Sequence, residues 1–131
     1  MSKYNNYYNF GNGDGHNEIA IIDPDATQKD RFSSVTVMKE ILTKLNPTQL
    51  PGAPVGVVYE WCINSAVVDA QNNSIIANAE DGNTYRWNLA TNKLSKIHLN
   101  TPTSEAYTPT VIGPDGIVYA INDAQFYALG K

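Results

Sequence analysis

The sequence holds one cysteine, Cys62, among 131 residues, so neither an internal disulfide nor a multi-cysteine zinc site is open to it. Histidine is almost as scarce. His16 and His98 are the only two, and a tetrahedral zinc site takes three or four protein ligands. Long apolar runs are missing as well: stretches such as Ile19-Ala20-Ile21-Ile22 fall far short of the ~20 residues a helix needs to cross a bilayer. No basic start leads into an apolar stretch, so no signal peptide is read at the beginning of the chain. Basic residues number 9 against 13 acidic ones, giving a net charge of −4 and a pI near 4.9. A basic face for nucleic-acid phosphates is therefore not expected. Glycine-rich phosphate loops, Ser-His-Asp patterns and nucleophile elbows are also absent.

What is present suffices for one core. Hydrophobic residues make up 42% and charged residues 17%, the balance of an ordered domain rather than a disordered chain. A domain of this length buries roughly two-thirds of its unfolded surface and needs no staple.

The main organising feature is an internal repeat. Asn73-Ser-Ile-Ile-Ala-Asn-Ala-Glu-Asp-Gly-Asn-Thr-Tyr-Arg-Trp87 aligns without gaps on Asp115-Gly-Ile-Val-Tyr-Ala-Ile-Asn-Asp-Ala-Gln-Phe-Tyr-Ala-Leu129 at an offset of 42. Ile76 falls on Val118, Asp81 on Asp123, Tyr85 on Tyr127 and Trp87 on Leu129. Upstream, Ala66-Val67-Val68 falls on Thr110-Val111-Ile112 at an offset of 44. Each unit reads as apolar strand, tight turn, apolar strand, polar turn, third strand. The turns, Asp69 to Ser74 and Gly113 to Gly116, then Glu80 to Asn83 and Asn122 to Gln125, carry the Asn and Asp-Gly residues that accept positive φ. Val, Ile, Tyr and Thr in the strands suit a pleated, half-buried surface. Several short antiparallel strands at a period near 42 residues are the pattern of a propeller blade.

The first third follows the pattern more loosely. Tyr7-Tyr-Asn-Phe10 and Glu18-Ile-Ala-Ile-Ile22 make two strands around the loop Gly11 to His16, with Ile19 to Pro24 in the place of Thr84 to Leu89. Asp23 to Ser34 reads as a linker. In Val35 to Leu45, Met38, Ile41, Leu42 and Leu45 lie at helical spacing, whereas Val35, Val37 and Ile41 also permit an outer strand. Position in the repeat points to the strand and propensity to the helix. Pro47, Pro51 and Pro54 make the segment from Asn46 to Pro54 a loop. The expected architecture is all-β: about three propeller-type blades of four-stranded antiparallel sheet, at 1–50, 51–100 and 101–131, the last lacking an outer strand.

Over Val58–Lys131 the chain resembles PQQ-like, quinoprotein-type β-propeller repeats. The residues that carry the resemblance are Glu60-Trp-Cys-Ile-Asn-Ser-Ala-Val-Val68, Glu80 to Leu89 and Glu105 to Asn122. They are similar to the C-terminal end of longer bacterial propeller proteins with no assigned activity, some of which look exported or surface-held. The resemblance implies a propeller fold and no particular reaction. It also stops short of the PQQ-dependent dehydrogenases. Their Ala-x-Asp-x-x-x-Gly-x-x-x-Trp docking motif has Asn92 where the glycine belongs and no following tryptophan, and an adjacent-cysteine pair is impossible with Cys62 alone. No PQQ cofactor is expected.

Three blades do not close a propeller, which usually has four to eight. Apolar faces at both ends then call for a partner: a second copy, most simply a dimer completing a six-bladed ring, or further blades of a longer chain. A ligand site is expected at the channel mouth, where Glu60 and Asn64 pair with Glu105, Tyr107 and Thr108 at the strand entries. The plainer reading is that these groups satisfy turn backbones. The leading function is a non-enzymatic scaffold or a module binding a ligand or protein. The alternative is an enzyme acting on a small molecule at that mouth, with Glu60 and Glu105 as acid and base.

Three further groups are weighed on their own. Asn12, Asp14 and Glu18 in the Gly11 to Glu18 run offer oxygens to calcium, against the reading of a simple hairpin connection. Cys62 reads as a small buried hydrophobe, and His98 as a solvent-facing strand residue. Tyr4, Tyr7, Tyr8 and Phe10 read as an edge strand packing its aromatics rather than a stacking platform, because Lys3 is the only base nearby.

Overall fold

In the computed structural model of the chain, residues 2–4, 13–62, 66–102 and 109–130 are described, of Ser2–Tyr4 the backbone alone. The architecture is all-β, with no helix among these residues. Ten strands run in chain order: β1 (Ser2–Tyr4), β2 (Glu18–Lys29), β3 (Thr36–Leu45), β4 (Val67–Asp69), β5 (Ser74–Asn78), β6 (Asn83–Asn88), β7 (Lys93–His98), β8 (Val111–Ile112), β9 (Val118–Asn122) and β10 (Gln125–Leu129). They form three antiparallel meanders ordered β1-β2-β3, β4-β5-β6-β7 and β8-β9-β10. Only the middle sheet has four strands; the outer two have three each among the described residues.

Local chemistry accounts for the turns. Asn73, Asn92, Asp123 and Ala124 have φ of 45°, 52°, 49° and 56°, and Gly82 and Gly116 have 79° and 81°, the left-handed region that Gly and Asn enter most cheaply. Consecutive positive φ at Asp123 and Ala124 makes the β9–β10 connection a two-residue turn whose twist matches its strands. Within the segment Val35 to Leu45, Thr36–Leu45 is strand β3 rather than helix. Its neighbour β2 is far longer than Ile19 to Pro24, and the expected linker from Asp23 is mostly strand, ending at Lys29. The irregularity between Asp23 and Thr27 falls around Pro24, which a sheet tolerates at such a break. Arg31, at the hairpin tip, pairs with Glu18 and lies 3.5 Å from Glu40, so the hairpin curls back on itself. The proposed strand Tyr7 to Phe10 lies outside the described residues.

The two aligned sequence segments form antiparallel hairpins whose registers differ by one residue. At an offset of 42, Ile76↔Arg86 would place Val118 opposite Ala128; Val118 pairs with Leu129 instead. Likewise Val67 pairs with Ile76, whereas Val111 pairs with Tyr119. Strand β9 is thus displaced by one position relative to both neighbours, and a one-residue slip exchanges the two sides of a strand. Val118, Ala120 and Asn122 are the buried set.

The core lies between the first two sheets. Ile75, Ala77, Tyr85 and Trp87 on one side of the middle sheet cluster with Ile19, Trp61 and Ala79, and Ile21 and Leu42 pack against them. The other side of the middle sheet faces the third, where the Asn78 amide donates to Thr110 Oγ1 at 3.0 Å. With both sides covered, every residue of β5 is buried.

Candidate functional site

Of the expected ligand-binding residues, Glu60 lies at the entry to the middle sheet. Trp61 bridges Ala79, and Glu60 accepts from the Glu80 amide through its carbonyl at 3.0 Å, so this segment extends the sheet ahead of β4. The carbonyl of Glu60 also accepts from the Asn46 side chain. Glu60 is half-buried at that entry. Asn64, Glu105, Tyr107 and Thr108 lie outside the described residues, so the proposed convergence on Glu60 does too.

Beside Glu60 lies a buried polar group centred on Asp81. Asp81, 3% exposed, accepts from Tyr85 Oη and from Thr48 Oγ1 through Oδ2. Its Oδ1 accepts from the Asn83 amide at 3.1 Å. Thr48 and Tyr85 oxygens are 3.2 Å apart. Burial, followed by the bond to Asp81, pushes the Tyr85 phenol above its ordinary range, so it stays protonated and serves as a donor. The Tyr85 ring also meets Trp61 edge-on, with centroids 5.3 Å apart. Thr48 belongs to the proline-rich loop, and the network ties that loop to the middle sheet. Thr48 and Asp81 are 33 residues apart, which is why no local pattern revealed the pairing.

A second polar group lies on the side of the middle sheet that faces the third sheet. Arg86 donates to Asp69 Oδ2 at 2.6 Å and to Ser74 Oγ at 3.0 Å, and Asn72 adds its amide and side-chain nitrogen to the same carboxylate. Burial opposes the charge on Asp69, but the bonds from Asn72 and Arg86 outweigh it and hold the carboxyl below its usual 3.8.

Of the candidate calcium ligands, Asp14 and Glu18 are among the described residues. Asp14 accepts from the His16 amide at 2.9 Å and lies 3.3 Å from its ring. Glu18 stands on β2 against Arg31, and Asn12 lies outside the described residues. Among the described residues no group of three or more His, Cys, Asp or Glu side chains is placed to hold a metal ion. Cys62 is buried, with its amide bonded to Asn78. His98 is exposed on β7, 3.3 Å from Asn83 Oδ1.

Asn92 lies in the turn between β6 and β7. It adopts the left-handed φ that a glycine would supply, and its side-chain oxygen accepts from the Trp87 indole at 2.8 Å. Its carbonyl accepts from Lys44 of the first sheet at 2.6 Å. One residue thus serves as turn and inter-sheet clamp. No family model, curated protein or solved structure matches the chain.

Proposed function

We propose that the chain is a propeller-type assembly of PQQ-like blades acting as a non-enzymatic scaffold or as a module that binds a ligand or a protein. The observation that carries this reading is the way the middle and third sheets approach each other. Their first strands, β4 and β8, come within 8 Å between Cα atoms, and among the described residues no other strands of different sheets approach so closely. Sheets that meet at their first strands and diverge toward their last are the wedges of a propeller, with β4 and β8 nearest the axis. Ring closure needs further wedges, from a second copy or from a longer chain. Glu60, at the entry to β4, sits where a ligand would meet the axis.

Pulsed spin-label spectroscopy in a Cys62→Ala background tests the arrangement. The pair Val68 and Val111 on the inner strands should give a distance clearly shorter than Lys96 and Ala128 on the outer ones. Equal distances would mean parallel layers and no propeller. The binding part is tested by melting-temperature shifts across a panel of sugars, dicarboxylates and short peptides. A compound whose shift shrinks in Glu60→Ala but not in Lys96→Ala supports a site at this end, and a panel without one leaves the scaffold alone.

A further inference from the structure

The tip of the β2–β3 hairpin is an arm set off from the first sheet by a hinge. Lys39 and Met38 are consecutive on β3, but their partners on β2 are Asp23 and Thr27, so residues 24–26 are inserted on one strand only. Extra residues on one strand bend a hairpin, and Pro24 among them has no amide to give to the ladder. Ile41 is inserted on the other strand close by, since Ile21 and Ile22 pair with Leu42 and Glu40. Beyond the hinge the ladder consists of Thr27 with Met38, Gln28 with Val37 and Lys29 with Thr36, too short a ribbon to be stable alone. The arm is tied within itself. Lys29 Nζ donates to the Ser34 carbonyl at 3.1 Å and to Thr36 Oγ1 at 3.0 Å, and Asp30 accepts from the Phe32 amide and the Ser33 hydroxyl.

Its hold on the rest of the first sheet is of another kind. Of the described residues 24–39 none is buried, and Phe32, Val35 and Met38 are among the exposed hydrophobics, so apolar burial contributes little. The described anchors are polar. Gln28 Oε1 accepts from the Glu40 amide at 2.9 Å, and the Arg31 guanidinium pairs with Glu18 and lies 3.5 Å from Glu40. The register explains that bridge. Glu18, Ala20 and Ile22 share one side of β2 and pair with Leu45, Thr43 and Glu40. The two carboxylates therefore flank the small Ala20–Thr43 row, and the guanidinium spans it. Their side chains keep only 14% and 18% exposure, and Ala20 is fully buried. We propose that residues 24–39 are a strap that swings as a unit about Pro24, with Arg31 as its latch, and that ionic strength sets whether the side of β2 carrying Glu18, Ala20 and Ile22 is covered. Exposed ion pairs contribute little each and are screened by salt, so the latched state is narrowly favoured and yields as salt rises. A segment without buried apolar contacts opens before the sheet beneath it does. The latch involves the first sheet alone and does not depend on the blade arrangement.

Pulsed spin-label distances on the full chain, with circular dichroism as a folding control, test the latch. The labels go on Phe32→Cys in the arm and Thr91→Cys in the exposed turn between β6 and β7, in the Cys62→Ala background. One main distance is expected at ~10 mM salt. Raising the salt to ~1 M shortens the screening length from about 30 to about 3 Å and should raise the population at a second distance by about two- to thirtyfold. Arg31→Gln should show that second distance already at low salt and lose most of the salt response. Arg31→Lys keeps the charge and should keep the response, and Arg31→Glu combined with Glu18→Lys and Glu40→Lys should restore the main distance at low salt. A wild-type distribution unchanged by salt overturns the strap. A salt response that survives undiminished in Arg31→Gln overturns Arg31 as its latch.

Discussion

The middle and third sheets carry the two aligned sequence segments, and they differ in what surrounds them. Trp87 is buried and its indole is clamped by Asn92; its counterpart Leu129 is half-buried. Tyr85 reaches a buried carboxylate and the loop that precedes its sheet. Tyr127 makes the same reach, but to the carbonyl of Leu99 at 3.1 Å and to Gln125. In both sheets the third-strand tyrosine therefore grips the chain just beyond the preceding sheet. At Gly82 a Cβ would overlap the carbonyl oxygen of Asn100, where the outgoing connection crosses the turn. At the matching Ala124 the chain is exposed and a side chain is accommodated. The lesson is that the repeat specifies the hairpins, while the neighbours decide which positions are constrained.

Substitutions at matched positions sharpen this contrast. Trp87→Ala should cost about 3–5 kcal/mol in denaturant unfolding, and Leu129→Ala less than about 2. Equal losses would mean that the third sheet is as enclosed as the middle one. Gly82→Ala comes next, at about 2–4 kcal/mol, because it adds left-handed strain to an overlap with backbone. A loss within ~0.5 kcal/mol would show that the connection through Asn100 does not pass over the turn. Tyr85→Phe should cost about 1.5–3 kcal/mol, the range of a hydrogen bond to a charged group, against less than about 1 for Tyr127→Phe, whose bonds are to neutral and partly exposed acceptors. Melting the two side by side decides it; the reverse order would dismiss the Asp81 network as a main tie. The smallest effect is a gain. Ala124→Gly relieves positive φ and should raise stability by about 0.5–1 kcal/mol, whereas a loss would mean the turn is not of the two-residue type.

Much of the fold could be read beforehand because its turns announce themselves. Asn73, Gly82, Gly116 and Asp123 all sit where positive φ is needed, and the apolar runs between them became strands in the expected order. Two features escaped for definable reasons. Ile117 and Val118 offer an apolar residue at either parity, so sequence matching could not detect that β9 had slipped by one. Pro24 and the acidic residues around it suggested a linker, when they mark an irregularity within a long strand. The candidate site was less legible. Asp81 and Tyr85 stand out in the sequence only as positions of the aligned segments, since their partner Thr48 arrives from a distant loop.

Among the described residues every strand pairs only with its neighbours in sequence. Folding can therefore begin within any one meander and spread by stacking, without threading a distant strand into a finished sheet. The same connectivity makes growth simple: copying one segment of about forty residues would lengthen the stack by a sheet and leave every existing pairing in place.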